Sequence, residues 1–140
     1  MLPTVLDEGA VMPVRAFQTD AGLDLISPED CTVWPRGRTI IDTGVHVAIP
    51  EGHVGLITSK SGLMRDGLIT SGTIDSGYTG SLRVVLFNLS GACVDIKATQ
   101  KVAQLVILPI ITPQVRIVDK LPETDRGSGG FGSTGRFVTE

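Results

Sequence analysis

The chain has 140 residues, a net charge of -3, 41% hydrophobic residues and only 4% aromatic ones. That length suits one domain that buries roughly two thirds of its unfolded surface. The lack of basic clusters argues against a general binder of nucleic-acid polymers, whose non-specific affinity rests on several Lys or Arg contacts to phosphates.

Neither end shows the charged, apolar, small-residue order of a leader, and the longest apolar stretch, residues 102–111, is broken by Gln104 and Pro109. No membrane segment or processing is therefore expected. Cys31 and Cys93 are far apart and form no Cys-x-x-Cys pattern. They read as buried thiols in a reducing, cytoplasmic compartment, with neither a disulfide scaffold nor a zinc site.

Taken in order, the chain reads as short strands. Val33 and Trp34 lead into a turn at Pro35-Arg36-Gly37; Val45, Val47 and Ile49 then alternate with His46 and Ala48 before a second turn at Pro50-Glu51-Gly52. Such alternation is the period of a strand with one buried face. Residues 54–57 continue it, residues 59–67 read as a loop or a short helical turn, and two further β segments follow Gly91. Frequent Gly and Pro with no sustained helical period predict an all-β sandwich or barrel. Residues 82–89 and 102–108 are aliphatic on both strand faces, so a second layer or a neighbouring subunit is expected to cover them.

Gly72-Thr73-Ile74-Asp75-Ser76-Gly77-Tyr78-Thr79-Gly80 organises the chain, because it sets a carboxylate and the chain's one tyrosine at a glycine-rich turn between apolar runs 68–74 and 82–89. Those runs read as the two arms of a β-hairpin. Gly72 and Gly80 would let a flat ligand lie close to the backbone. Asp75 is either a general base on a pocket floor or the acid of an ordinary tight turn.

Other stretches bear on chemistry. Asp24, in Ala21-Gly22-Leu23-Asp24-Leu25, points away from its aliphatic neighbours in a period-two strand. Ser59-Lys60-Ser61-Gly62-Leu63 offers hydroxyls, a cation and pliable backbone, which suits a phosphate as well as it suits a polar surface loop. Gln104 lies amid aliphatics, where it must find partners in the core or face a ligand. His46 and His53 have neither metal-ligand spacing nor a carboxylate nearby in sequence. At the C-terminus, Arg126-Gly127-Ser128-Gly129-Gly130-Phe131-Gly132-Ser133-Thr134-Gly135 combines a forked cation, a ring and many backbone donors. That set suits a nucleotide, against the alternative of a Gly/Ser linker. A Walker A loop is excluded because the Gly-Lys-Ser/Thr ending is missing.

Residues 21–25, 59–63, 72–80, 101–105 and 126–135 resemble, in order and spacing, the five motifs of the trimeric deoxyuridine triphosphatase (dUTPase) family. The resemblance implies a jelly-roll β subunit of the β-clip type, residues 1–120, followed by a flexible arm, residues 121–140. It implies a homotrimer with active sites shared between subunits, and Mg²⁺-assisted hydrolysis of dUTP to dUMP and pyrophosphate. Asp75 would activate the attacking water and Tyr78 would lie against the deoxyribose. Backbone of Gly72, Thr73 and Ile74 and the region of Arg83 would hold the sugar and the uracil edge. Asp24 would meet the hydrated metal; Lys60, Ser61, Gly62 and Gln104 would contact phosphates. Arg126, Phe131, Gly132, Ser133 and Thr134 would close over the nucleotide.

Two departures stand out: Lys60 occupies a position where the family usually has arginine, and Thr99-Gln100 replace the family's glycine and acid ahead of Lys101. The resemblance also admits a regulatory protein-binding switch, as in some phage members, and a relative that deaminates dCTP.

Overall fold

Gly and Pro punctuation divides the chain into short strands in the computed structural model, which describes residues 1–131 and 133. In order these are β1 (Thr4–Leu6), β2 (Gly22–Ile26), β3 (Cys31–Val33), β4 (Arg38–Asp42), β5 (Val45–Val47) and β6 (His53–Thr58). After the short helix α1 (Ser61–Arg65) come β7 (Leu68–Ile69), β8 (Ser71–Asp75), β9 (Arg83–Asn88), β10 (Val94–Ile96) and β11 (Lys101–Pro109). The all-β expectation therefore holds, and the loop at 59–67 contains one short helix.

A four-stranded sheet runs β2-β11-β6-β8 and a three-stranded sheet runs β4-β9-β7; β1 pairs with β5 and β3 with β10. Every strand pair is antiparallel. Leu25, Ile57 and Leu105 of the larger sheet meet Ile41, Leu68, Val84 and Leu86 of the smaller one in a single core, which Val33, Val45, Val47 and Ile96 extend. Fully burying an aliphatic side chain of this kind contributes about 1.5–3 kcal/mol.

Of the buried polar side chains of the core, all but Thr70, whose Oγ1 has no partner among the described residues, are hydrogen-bonded or ion-paired. The Asn88 amide donates to the carbonyls of Val33 (2.9 Å) and Ala92 (2.8 Å) and accepts from Ser90. It ties the end of β9 to two other segments.

The structure corrects two expectations. The runs on either side of the Gly72–Gly80 stretch pair only at their outer ends, where Leu68 and Ile69 of β7 lie antiparallel to Asn88 and Phe87 of β9; the inner part, β8, pairs with β6 in the other sheet, and β9 continues along β4. A period of two shows which face is buried but not which strand lies alongside. The cysteines are not both buried thiols either, because Cys93 is exposed and Cys31 only partly covered.

Apolar exposure persists on the outer face of the smaller sheet, where Ile40 is 59% and Phe87 39% exposed. Beyond Pro109 the described residues form no further strand, and their side chains are almost all exposed.

Candidate active site

The segment after β8 leaves one sheet and enters the other, and this crossing builds a pocket. Thr73, Ile74, Asp75, Tyr78, Ser81 and Arg83 line a hollow of about 210 Å³ with both polar and apolar walls. Asp75 is the last residue of β8, paired with Val54 of β6, so its exposed carboxylate is carried on a hydrogen-bonded strand end. The Tyr78 amide donates to the Asp75 carbonyl at 3.0 Å, and the Tyr78 hydroxyl donates to the Ser81 carbonyl at 2.9 Å. The ring lies across Gly80, where an added Cβ would come within 2.5 Å of the hydroxyl oxygen. Glycine at 80 thus makes room for the chain's own tyrosine rather than for a ligand. Gly72 does not open the pocket either, since a Cβ there would meet Ile57 at an ordinary 3.5 Å.

Arg83 is held by Asp42, its Nε donating to Oδ2 at 3.1 Å. The Asp42 carboxyl lies below the ordinary aspartate range, chiefly because Ser81 donates to it, with further donation from the Gly44 amide and Arg83. Asp42 and Ser81 were not singled out from the sequence. Their partners are 39 and 41 residues apart along the chain, and no local pattern announces such a pair.

A second cluster forms elsewhere on the larger sheet. Asp24 of β2 is opposite Gln104 of β11, which is opposite Thr58 of β6, which in turn is opposite Ser71 of β8. Asp24 is only 5% exposed and is bound by two ammonium groups, Lys60 on one oxygen and Lys101 on the other at 2.7 Å. Burial works against its charge, but the hydrogen bonds from Lys101 and Lys60 outweigh this and keep the carboxyl below its usual range. Gln104 is partly exposed and lies over Gly22, where a Cβ would come within 2.7 Å of Oε1. Ser61 and Gly62 open α1 directly after Lys60.

The strand register separates the two groups. Asp75 is four residues beyond Ser71 on β8, roughly 13 Å along an extended strand. Within one chain, the pocket and the cationic cluster are therefore at different places on the sheet. Arg126 turns back on its own segment, its Nε donating to the Gly129 carbonyl at 3.0 Å, and Phe131 is fully exposed. The Ser133 amide donates to the Gly130 carbonyl at 3.1 Å. Gly132 and Thr134 lie outside the described residues. A wider, mostly apolar hollow of about 380 Å³ on the far side of the Tyr78 turn, lined by Pro3, Val5, His46 and Thr79 among others, contains none of the sequence-predicted site residues.

Among the described residues, no group of three or more His, Cys, Asp and Glu side chains could hold a metal ion. With both Asp24 oxygens facing ammonium groups, the donor set does not suit an ion bound by protein alone. An ion such as Mg²⁺, which keeps several waters and travels with substrate phosphates, would need little from such a set.

At Thr99-Gln100 the turn closes without the family's glycine. The Gln100 amide donates to the Lys97 carbonyl, the Gln100 side chain accepts from the Lys97 amide, both at 3.0 Å, and Thr99 adopts a φ of 69°. Among the described residues, no helix is long and apolar enough to cross a membrane.

Comparison with known proteins gives the chain's family and fold relatives. The family model described as dUTPase matches residues 8–135. The deoxyuridine 5'-triphosphate nucleotidohydrolase of Rhodococcus erythropolis is 44% identical over 135 residues, covering 93% of this chain and 82% of that protein. The Staphylococcus bacteriophage 80alpha dUTPase with dUpNHpp superposes with a TM-score of 0.90 at 34% identity, covering 96% of this chain and 98% of that one; it is described among phage dUTPases that control transfer of virulence genes by a G protein-like mechanism. A mutant dUTPase from phage phi11 of S. aureus, described as revealing the coordination of a structural Mg(II) ion, superposes with a TM-score of 0.79 at 35% identity, over 86% of this chain and 97% of that one. Matched by the family model over residues 8–135 and 44% identical to a curated member over most of its length, the chain belongs to the dUTPase family.

Proposed function

We propose that the protein hydrolyses dUTP to dUMP and pyrophosphate, and the observation that carries this reading is the shared pocket of Asp75, Tyr78 and Arg83 at the crossing between sheets. Asp75 accepts a proton from a water whose oxygen forms a bond to the α-phosphorus. The bond from that phosphorus to the bridging oxygen breaks, and pyrophosphate leaves with the electron pair. The Asp75 carboxylate is exposed at a rigid strand end, where it can meet such a water. The Tyr78 ring, fixed by its hydroxyl to Ser81, packs against the deoxyribose and leaves no room for a 2′-hydroxyl. Backbone of Gly72, Thr73 and Ile74 and the region of Arg83 hold the sugar and base. β8 is an outer strand of its sheet, which supports this role because one side of its backbone has no partner strand among the described residues.

Lys60, Ser61, Gly62 and Gln104 take the phosphates. Their distance from Asp75 within one chain supports a homotrimer in which a neighbouring copy supplies them, and the exposed Ile40 and Phe87 supply apolar surface for assembly. Mg²⁺ held by the triphosphate would neutralise part of its charge, and Asp24 would meet the ion's waters. Residues 121–140 act as an arm, in which Arg126, Phe131, Gly132, Ser133 and Thr134 close over the nucleotide and exclude bulk water. The cytoplasm suits such an enzyme.

Pyrophosphate release measured across dUTP, dTTP, dCTP and UTP tests reaction, base and sugar together; turnover of dUTP alone is expected, and ammonia release from dCTP would point to deamination instead. Sedimentation at micromolar concentration is expected to give a trimer, and a monomer would rule out shared sites.

A regulatory reading stands second, favoured by the likeness to the phage 80alpha dUTPase. A protein partner whose capture survives Asp75→Asn and changes with dUTP would support it.

A further inference from the structure

The Tyr78 turn has little internal structure of its own. Between Asp75 and Arg83 it contains Gly77 and Gly80, and its own contacts are the amide and hydroxyl bonds of Tyr78 already described. What shapes it is a neighbour: the corner between β4 and β5. Thr43, wholly buried, donates to the Leu82 carbonyl from both its amide (3.1 Å) and its hydroxyl (2.7 Å), and the Leu82 amide donates to the Val45 carbonyl at 2.8 Å. Residue 82 is thereby stitched to the corner by backbone.

One side chain on each side of that stitch reaches further up the turn. Asp42 accepts from the Ser81 hydroxyl on Oδ1 and from Arg83 on Oδ2. His46 places Nδ1 2.9 Å from the Thr79 carbonyl and Nε2 3.1 Å from Asp7 Oδ2.

We propose that Asp42 and His46 are positioning residues that hold the tyrosine turn in the shape that admits a deoxyribose and refuses a ribose; the proposal rests on the dUTP-hydrolysing reading above. Asp42 grips the residue whose carbonyl seats the Tyr78 hydroxyl, and His46 grips the carbonyl of the next residue after Tyr78. Neither touches Asp75, which stands on β8 and is aligned by β6. Their contribution therefore falls on sugar selection and substrate binding more than on the chemical step.

The His46 contact has a protonation requirement. A carbonyl and a carboxylate only accept hydrogen bonds, so both ring nitrogens must donate, which only the imidazolium does. The groups facing the ring favour that form: the Thr79 carbonyl first, then Asp7 from the segment after β1, with Asp42 of β4 adding at longer range. Arg83, at the start of β9, is paired with Asp42. His46 accordingly titrates above the ordinary histidine value. The double contact is complete below about pH 6.5, the ordinary histidine value, and is lost as pH rises through the raised one; a neutral ring keeps only one of its two bonds.

The test compares kcat and KM for dUTP and UTP between pH 6 and 9 in the wild type, Asp42→Ala, His46→Gln and Asp7→Asn, with thermal melts to confirm folding. Asp42→Ala is expected to reduce the dUTP-over-UTP ratio of kcat/KM by about tenfold, the scale of one charge-assisted hydrogen bond at a half-exposed site, with a much smaller change in kcat for dUTP. In the wild type KM for dUTP should rise with pH; Asp7→Asn should move that rise to lower pH, and His46→Gln should abolish it. An unchanged ratio in Asp42→Ala together with an unchanged KM profile in Asp7→Asn overturns the proposal, as does a fall in kcat with no change in the ratio. If Asp42→Ala does not fold, the two exposed-site variants decide through their pH profiles. A wild type that fails to hydrolyse dUTP refutes the proposed function and takes this inference with it, whereas a selective wild type with indifferent variants refutes the inference alone.

Discussion

The tyrosine pocket and the lysine cluster lie on the same sheet and are built on opposite principles. In the pocket, Asp75 and Tyr78 are positioned by backbone: a strand end, a turn amide and a carbonyl that holds the phenol. In the cluster, Asp24, Lys60 and Lys101 are positioned by charge, with a nearly buried carboxylate between two ammonium groups. Backbone placement fixes direction and leaves the reactive side chain exposed for a water or a sugar. Charge pairing holds cations in reserve, at the cost of desolvating a carboxylate. The first arrangement suits chemistry, and the second suits meeting a polyanion.

Asp75→Asn gives the widest separation of the two regions. An amide still holds a water but cannot take its proton, so turnover should fall about 10²–10⁴-fold with nucleotide binding and melting temperature nearly unchanged. Stopped-flow or coupled pyrophosphate assays check the first and calorimetry the others; near-normal turnover would remove Asp75 from its role.

Deleting residues 126–140 comes next. The subunits should still fold and assemble, while kcat/KM for dUTP drops by roughly 10–100-fold, because a base–aromatic stack contributes about 1–3 kcal/mol and a cation is lost besides. Phe131→Ala should show a milder defect and Phe131→Trp near-normal activity. Full activity of the truncated chain would reduce the segment to a linker.

Asp24→Asn tests the cluster through stability. Two ammonium groups would then face each other across a neutral amide, costing about 1–3 kcal/mol; this is less than for a fully buried pair, because the lysines are partly exposed. The pH dependence follows from the sign of the shift. A carboxyl whose folded value is depressed stabilises above about pH 3.9, the ordinary aspartate value, and that contribution disappears as pH falls through the lower folded value. Urea unfolding between pH 7 and pH 2.5 should show the wild type losing this term in acid and Asp24→Asn lacking it. Asp30 and Asp42, whose values are also depressed, should retain the remaining slope.

Thr99→Gly gives the smallest effect. A β-branched residue at φ 69° pays about 1–2 kcal/mol that glycine avoids, offset in part by the freer unfolded chain. A net gain of about 0.5–1 kcal/mol is expected, measurable as a higher urea midpoint; a loss would mean that the threonine side chain has compensating contacts.

The residues that were legible in the sequence are those whose signals are local. Asp75, Tyr78 and the flanking glycines stand within nine positions, and the alternation from Val45 to Ile49 appears as Val45, Val47 and Ile49 buried at 0%, 4% and 4% exposure. What was hidden is pairwise and distant. His46 looks bland until Asp7, 39 residues away, lies beside it. The β8–β9 hairpin looked plausible because turn chemistry shows that the chain reverses, and cannot show that it changes sheet while doing so. Asp42 sits in a strand with no motif around it, and its importance comes entirely from Ser81 and Arg83.

The position of β8 at the outer margin of its sheet carries a consequence for how such a site can vary. If the base is read by main-chain amides and carbonyls, the reading is written in atoms that every residue but proline carries in full. Side chains along residues 71–74 are then free to drift, as Thr73 could become valine or serine without a change of base preference. A proline there would silence a donor outright. Selectivity encoded this way withstands ordinary substitution and fails only when the backbone itself is edited.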